Sequence, residues 1–107
     1  MQGDHVEADK KKGIDLMEKS ANAGNKTAAS NMSLAYRKGD GVEVNIEKSI
    51  EWAIKAAELG DDDRIFQYAV AYFNGEDPVT EDKAKAVEFF VLAANARSST
   101  AMENLGV

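Results

Sequence analysis

The chain of 107 residues has no cysteine, one histidine and one proline. Without a thiol, a disulfide scaffold, a thiolate zinc site and a cysteine nucleophile are all excluded. His5 is the sole imidazole, so a histidine-based catalytic pair or zinc site lacks its parts, and His5 reads as a surface residue of an N-terminal loop. No apolar run approaches the ~20 residues that span a bilayer, and no apolar h-region follows Met1, so no membrane insertion is expected. Basic residues are in deficit, 13 against 19 acids for a net charge of -6, which argues against a nucleic-acid phosphate surface. Sustained period-2 alternation is missing too, which removes the strand signals. What the chain does have is 44% hydrophobic residues, enough for a packed interior.

Seventeen alanines favour helix throughout, because alanine loses no side-chain entropy in a helix. Ile46, Ile50, Ala53, Ile54 and Ala57 recur at spacings of three and four, as one face of a helix requires. Breaks fall at Gly24-Asn25, Gly39-Asp40-Gly41, Gly60-Asp61, Gly75 to Pro78 and Arg97-Ser98-Ser99. These divide the chain into helical segments at 7–23, 26–38, 45–59, 62–74, 81–96 and a short one from 99 onward. The fold class is all-α.

The chain also resembles itself. A shift of 36 residues lines up Lys12 with Lys48, Ile14 with Ile50, Lys19 with Lys55, Ala21 with Ala57 and Gly24 with Gly60. The same shift pairs Ala35 with Ala71, Tyr36 with Tyr72 and Gly39 with Gly75. After one inserted residue near Asp77 the shift becomes 37, pairing Val42 with Val79, Asn45 with Asp82, Lys48 with Lys85 and Trp52 with Phe89. A two-helix unit of this length cannot bury its apolar face alone, so the period implies an α/α superhelix (solenoid) of about three stacked antiparallel helical hairpins. The units are a partial repeat 1–25, repeats 26–61 and 62–98, and a partial repeat 99–107.

The pattern from Ala28 through Met32-Ser33, Tyr36, Gly39-x-Gly41-Val42, Asn45, Lys48-Ser49, Trp52-Ala53-x-Lys55-Ala56-Ala57 to Gly60 resembles the Sel-1-like repeat, a relative of the tetratricopeptide repeats. That family's pattern carries glycine where this chain has Ser33 and alanine where it has Ser49. The resemblance implies a right-handed superhelix that serves as adaptor or scaffold for protein partners, with no catalytic residues and no cofactor. It also implies an alternative role, a bacterial immunity or secretion-associated protein that neutralises a cognate effector. The absence of cysteine argues against the disulfide-stapled secreted branch of the family; a soluble cytoplasmic or periplasmic protein fits.

Residues 61–82 contain seven acids and one base, Arg64, and so carry the whole net charge. Asp61 to Asp63 and Glu81-Asp82 fall at two helix starts, where carboxylates cap orphan N–H groups and complement the macrodipole. The clusters lie a 13-residue helix apart, about 20 Å at 1.5 Å per residue, which disfavours one acidic site. The EF-hand ligand ladder is missing, and Val44 stands where a third glycine would complete a GxGxxG phosphate loop.

Segment 62–74 is apolar nearly all round: beyond the core positions Tyr68, Ala69 and Tyr72 it carries Ile65, Phe66, Val70 and Phe73. By analogy with tetratricopeptide-like solenoids, the first helix of each hairpin lines a concave groove. That groove would show Thr27, Ser30, Leu34, Arg37 and Lys38 from one repeat, then Phe66, Val70, Phe73 and Asn74 from the next. An apolar floor rimmed by Arg37 and Lys38 suits a protein or peptide partner with acidic character. The competing expectation buries Phe66 and Phe73 in the ordinary core. The partial units at the two ends imply a fragment of a longer repeat protein, or ends closed by self-association or by the partner.

Overall fold

The computed structural model describes the backbone of residues 2–104 and the side chains of residues 9–97. Five helices make up the described part, with no strand: α1 (Gln2–Asn22), α2 (Lys26–Lys38), α3 (Ile46–Glu58), α4 (Asp63–Asn74) and α5 (Lys83–Asn104). Successive helices pack on each other, and α2 with α4 and α3 with α5 also touch, which is the neighbour pattern of stacked hairpins. The Cα trace measures 49 × 38 × 15 Å with a radius of gyration of 15.2 Å, against about 13 Å for a compact chain of this length. Helical hairpins laid side by side give such a slab.

Each helix begins and ends where turn chemistry allows. Asn25 and Asn45 cap α2 and α3 through their side chains, accepting from the N–H groups of Ala28 and Lys48 at 3.0 Å. Asp82 does the same for Lys85 at the start of α5. Each such cap is worth about 1 kcal/mol. Helices α2 and α4 stop at Gly39 and Gly75, whose φ angles of 76° and 71° lie in the left-handed region that glycine enters without penalty. A Cβ at Gly39 would also stand 2.7 Å from a Val44 methyl, so a side chain there would force Val44 to shift in addition to straining the backbone.

The two full hairpins repeat one another atom for atom at several places. Asn45 N–H donates to the Tyr36 carbonyl at 2.9 Å, and Asp82 N–H to the Tyr72 carbonyl at 2.8 Å. The Lys48 ammonium lies 5.5 Å from the Tyr36 ring centre, and that of Lys85 lies 5.9 Å from Tyr72. The core divides accordingly. One cluster joins α3 to α4 and α5 through Ala53, Ala57, Ile65, Tyr68, Ala69, Phe89 and Ala93. Two smaller ones join α1, α2 and α3 around Ile14, Ala21, Ala29, Met32 and Ala56, with Trp52 packed against both.

Two boundaries differ from expectation. Helix α5 runs unbroken through Arg97-Ser98-Ser99 to Asn104, so no separate helix begins at 99. Serine and arginine cost a helix only a few tenths of a kcal/mol, and neither glycine nor proline interrupts the stretch. At the other end α1 is helical from Gln2, so residue 5 stands in a helix rather than a loop. The expected loop copies 39–45, whose shape depends on the bond from Asn45 to Tyr36 of the preceding helix; among the described residues nothing plays the part of Tyr36 for α1. The side chains of His5 and Ala101, and all of Leu105 and Gly106, lie outside the described residues.

Candidate partner-binding surface

The site expected on the first helices of the hairpins resolves into three neighbourhoods. Leu34 and Lys38 leave α2 towards α1, where with Lys10, Gly13, Ile14, Met17 and Asp40 they line an open hollow of about 300 Å³. Arg37 turns the other way, towards α4. With Gln67, Val70, Ala71, Glu76 and Asp77 it borders a second hollow of about 380 Å³. Phe66 and Phe73 look towards α5. The Phe66 ring meets Phe90 edge-on at 5.6 Å, and the Arg97 guanidinium lies 5.8 Å from its centre. The Lys83 ammonium lies 4.2 Å from the Phe73 ring centre and donates to the Phe73 carbonyl at 3.3 Å. Asn74 is exposed at the last turn of α4.

Phe66 and Phe73 remain 42% and 48% exposed, so they are not ordinary core residues. Ser30, by contrast, is buried: its hydroxyl accepts from Arg64 Nε at 3.2 Å, in the seam between α2 and α4 rather than in a groove. Gln67, Glu76 and Asp77 join Arg37 and Val70 without having been singled out in the sequence. Gln67 stands one turn before Val70, a spacing legible in a helix; Glu76 and Asp77 arrive through the fold of the 75–82 loop.

The acidic stretch is largely consumed by the fold. Asp61 accepts from Asp63 N–H at 3.1 Å, and Asp82 caps α5. Glu81 pairs with Lys83 at 3.0 Å. Asp62, at the N-cap position of α4, makes no cap bond with its side chain and instead accepts from Arg97 Nε at 2.6 Å. This hydrogen bond and the charge of Asp62 raise the Arg97 pKa.

The most polar place in the interior lies behind this surface. Ser33 Oγ donates to the Ser49 carbonyl and Ser49 Oγ stands equally close to the Ser33 carbonyl, both at 2.7 Å, while the Ser49 and Tyr68 hydroxyls meet at 2.6 Å. All three side chains are buried, and among the described residues no buried side-chain nitrogen or oxygen lacks a partner. Burial raises the Tyr68 pKa, against the smaller opposing effects of the Ser49 bond and of Arg37, whose guanidinium lies 5.9 Å from the ring centre. A hydroxyl held neutral between helices is a structural tie.

Among the described residues no group of three His, Cys, Asp or Glu is placed to hold a metal ion, and no helix is long and apolar enough to cross a membrane. Stacked antiparallel hairpins with a 36-residue period define the chain as an α/α repeat protein. Comparison with known proteins specifies which kind. Sel1 repeats match residues 1–25, 27–61 and 65–98, and the chain belongs to the Sel1 repeat family. The crystal structure of a Sel1 repeat protein from Oxalobacter formigenes is similar, with a TM-score of 0.61 and 27% identity over 78% of this chain. The match spans 62% of that protein's chain. No curated protein matches in sequence. Sel1 repeat proteins are generally protein-interaction modules and typically non-catalytic scaffolds.

Proposed function

We propose that this chain is a non-catalytic module that binds a protein or peptide partner along α2 and α4, the concave side of the solenoid. Leu34, Arg37, Lys38, Val70 and Asn74 make the contact, and Phe66 and Phe73 border it. The observation that carries this reading is the second hollow: an exposed guanidinium, Arg37, beside the half-buried aliphatic Val70 at the junction of two hairpins. Such a junction offers an apolar seat and a directional charge-assisted bond, which is how helical-repeat grooves anchor an extended or helical segment. Glu76 and Asp77 on the same rim would select a partner with mixed rather than purely acidic charge.

Neutralisation of an effector through an acidic face draws less support. Asp61, Asp62, Glu81 and Asp82 already serve helix starts and ion pairs. The test is affinity capture with cross-linking mass spectrometry on the wild type and a Leu34→Ala, Arg37→Ala, Val70→Ala variant. The variant keeps its helical circular dichroism and loses the captured partner. Undiminished capture, or cross-links that avoid α2 and α4, overturns the assignment.

A further inference from the structure

The repeat register marks one exposed face of the structure as the copy of a stacking surface. Shifts of 36 and 37 residues carry Ser30 to Phe66, Arg37 to Phe73, Ile50 to Val87, Ala53 to Phe90 and Ile54 to Val91. In the α2–α3 hairpin the first member of each pair meets the next hairpin. Ser30 accepts from Arg64, and Arg37 lies over the Tyr68 ring. Ala53 is fully buried, and Ile50 and Ile54 pack against the cluster that contains Ile65, Tyr68 and Phe89. In the α4–α5 hairpin the second members form a larger and more apolar face that stays open: Phe66 is 42% exposed, Phe73 48%, Val87 59% and Val91 52%.

The opposite end of the slab shows the complementary deficit. Helix α1 is of the same kind as α3 and α5, and the 36-residue shift carries Leu16 to Trp52, whose next copy is Phe89. Trp52 packs against the α1–α2–α3 clusters and Phe89 is buried in the α3–α5 cluster. Leu16 is 67% exposed.

We propose that the open α4–α5 face receives a second copy of this chain head to tail, α1 of that copy lying against α5 in the register in which α5 lies against α3. Continuity with an interface the molecule already makes is the reason for this occupant. The contact between α3 and α5 recurs one period later with Val87, Phe90 and Val91 on one side. Leu16 supplies the bulky apolar side chain that Trp52 and Phe89 supply within the chain. The contact is heterologous, so it leaves a free end on each side and builds short open arrays rather than a closed dimer. Phe66 and Phe73 border both surfaces, but Leu16 and Val91 lie outside the α2–α4 hollow lined by Arg37 and Val70, so either reading can fail alone.

Sedimentation velocity over a concentration series tests the proposal with three samples: wild type, Leu16→Glu and Val91→Glu. Both substitutions fall on exposed side chains, and unchanged circular dichroism verifies folding. The wild type sediments faster as concentration rises. Each variant alone remains monomeric, its self-association weakened about a hundredfold or more by a carboxylate forced into an apolar contact. Mixed, the two variants form a one-to-one dimer that grows no further, because one retains a sound α5 face and the other a sound α1 face. A wild type that stays monomeric throughout overturns the proposal. So does a Leu16→Glu variant that associates like the wild type, the signature of two α4–α5 faces meeting each other, and so does a mixture that stays monomeric.

Discussion

The hairpins α2–α3 and α4–α5 share turn glycines, Lys–Tyr contacts and the side-chain cap of their second helices, yet they close by different chemistry. Where α2 crosses α3, Ser33 and Ser49 bond each other's backbone, and Ser49 also ties Tyr68 of the next hairpin. At the equivalent crossing of α4 and α5 stand Ala69 and Ala86, both fully buried and both without a polar side-chain atom. Small side chains alone therefore suffice for the close approach. The serines add something else, a polar link from one repeat to the next, and with it the liability that removing one partner strands the others.

The largest difference between the hairpins is expected from their big aromatic residues. Phe89→Ala removes a ring that is 5% exposed and in edge contact with Tyr72 at 5.5 Å, and should cost about 3–5 kcal/mol. Trp52→Ala, at the equivalent but half-buried position, should cost less; the two urea-denaturation midpoints give the order directly. A greater loss at Trp52 would show that the α1–α3 half carries most of the stability.

The serine link is next in size. Ser49→Ala should destabilise by about 1–3 kcal/mol, because it leaves the Tyr68 hydroxyl buried without its partner. Adding Ser33→Ala and Tyr68→Phe should cost far less than the sum of the single effects, since the stranded groups are then removed as well. Additive losses would mean that the three hydroxyls act independently.

The smallest effect concerns pH. Burial raises the folded-state pKa of Tyr68 above its unfolded value near 10, so the neutral phenol is the form the fold favours. Stability from this group is fully present below the unfolded pKa and is lost as pH rises through the folded one. Thermal midpoints should therefore fall more steeply above about pH 10 in the wild type than in Tyr68→Phe. Parallel curves would remove Tyr68 from the alkaline response.

Helix class, the cores of all five helices and the repeat register were legible because they rest on local signals: Ala content, three-and-four spacing, and Gly-Asn or Gly-Asp punctuation. Position 97–99 misled for a local reason as well. Serines can end a helix, but only where something else holds the chain in a turn, and here α5 continues. The candidate surface was legible as a set of residues and not as a place. Arg37 and Val70 border one hollow, whereas Leu34 and Lys38 turn to α1, and Phe66 and Phe73 to α5. One residue along a helix rotates a side chain by about 100°, enough to send neighbours to different hairpins.

By itself, then, the sequence determined the unit, its length, its caps and its family, since each depends on contacts within some forty residues. Only the tertiary structure decided how the units use their spare surface. It turned Ser33 and Ser49 from small spacers into a bonded link, drew most of the acidic clusters at the two helix starts into caps and ion pairs, and left Phe66, Phe73, Val87 and Val91 facing outward. The physical reason is that stacking brings together residues from different periods, and a one-dimensional pattern specifies each period without specifying what meets it across the stack.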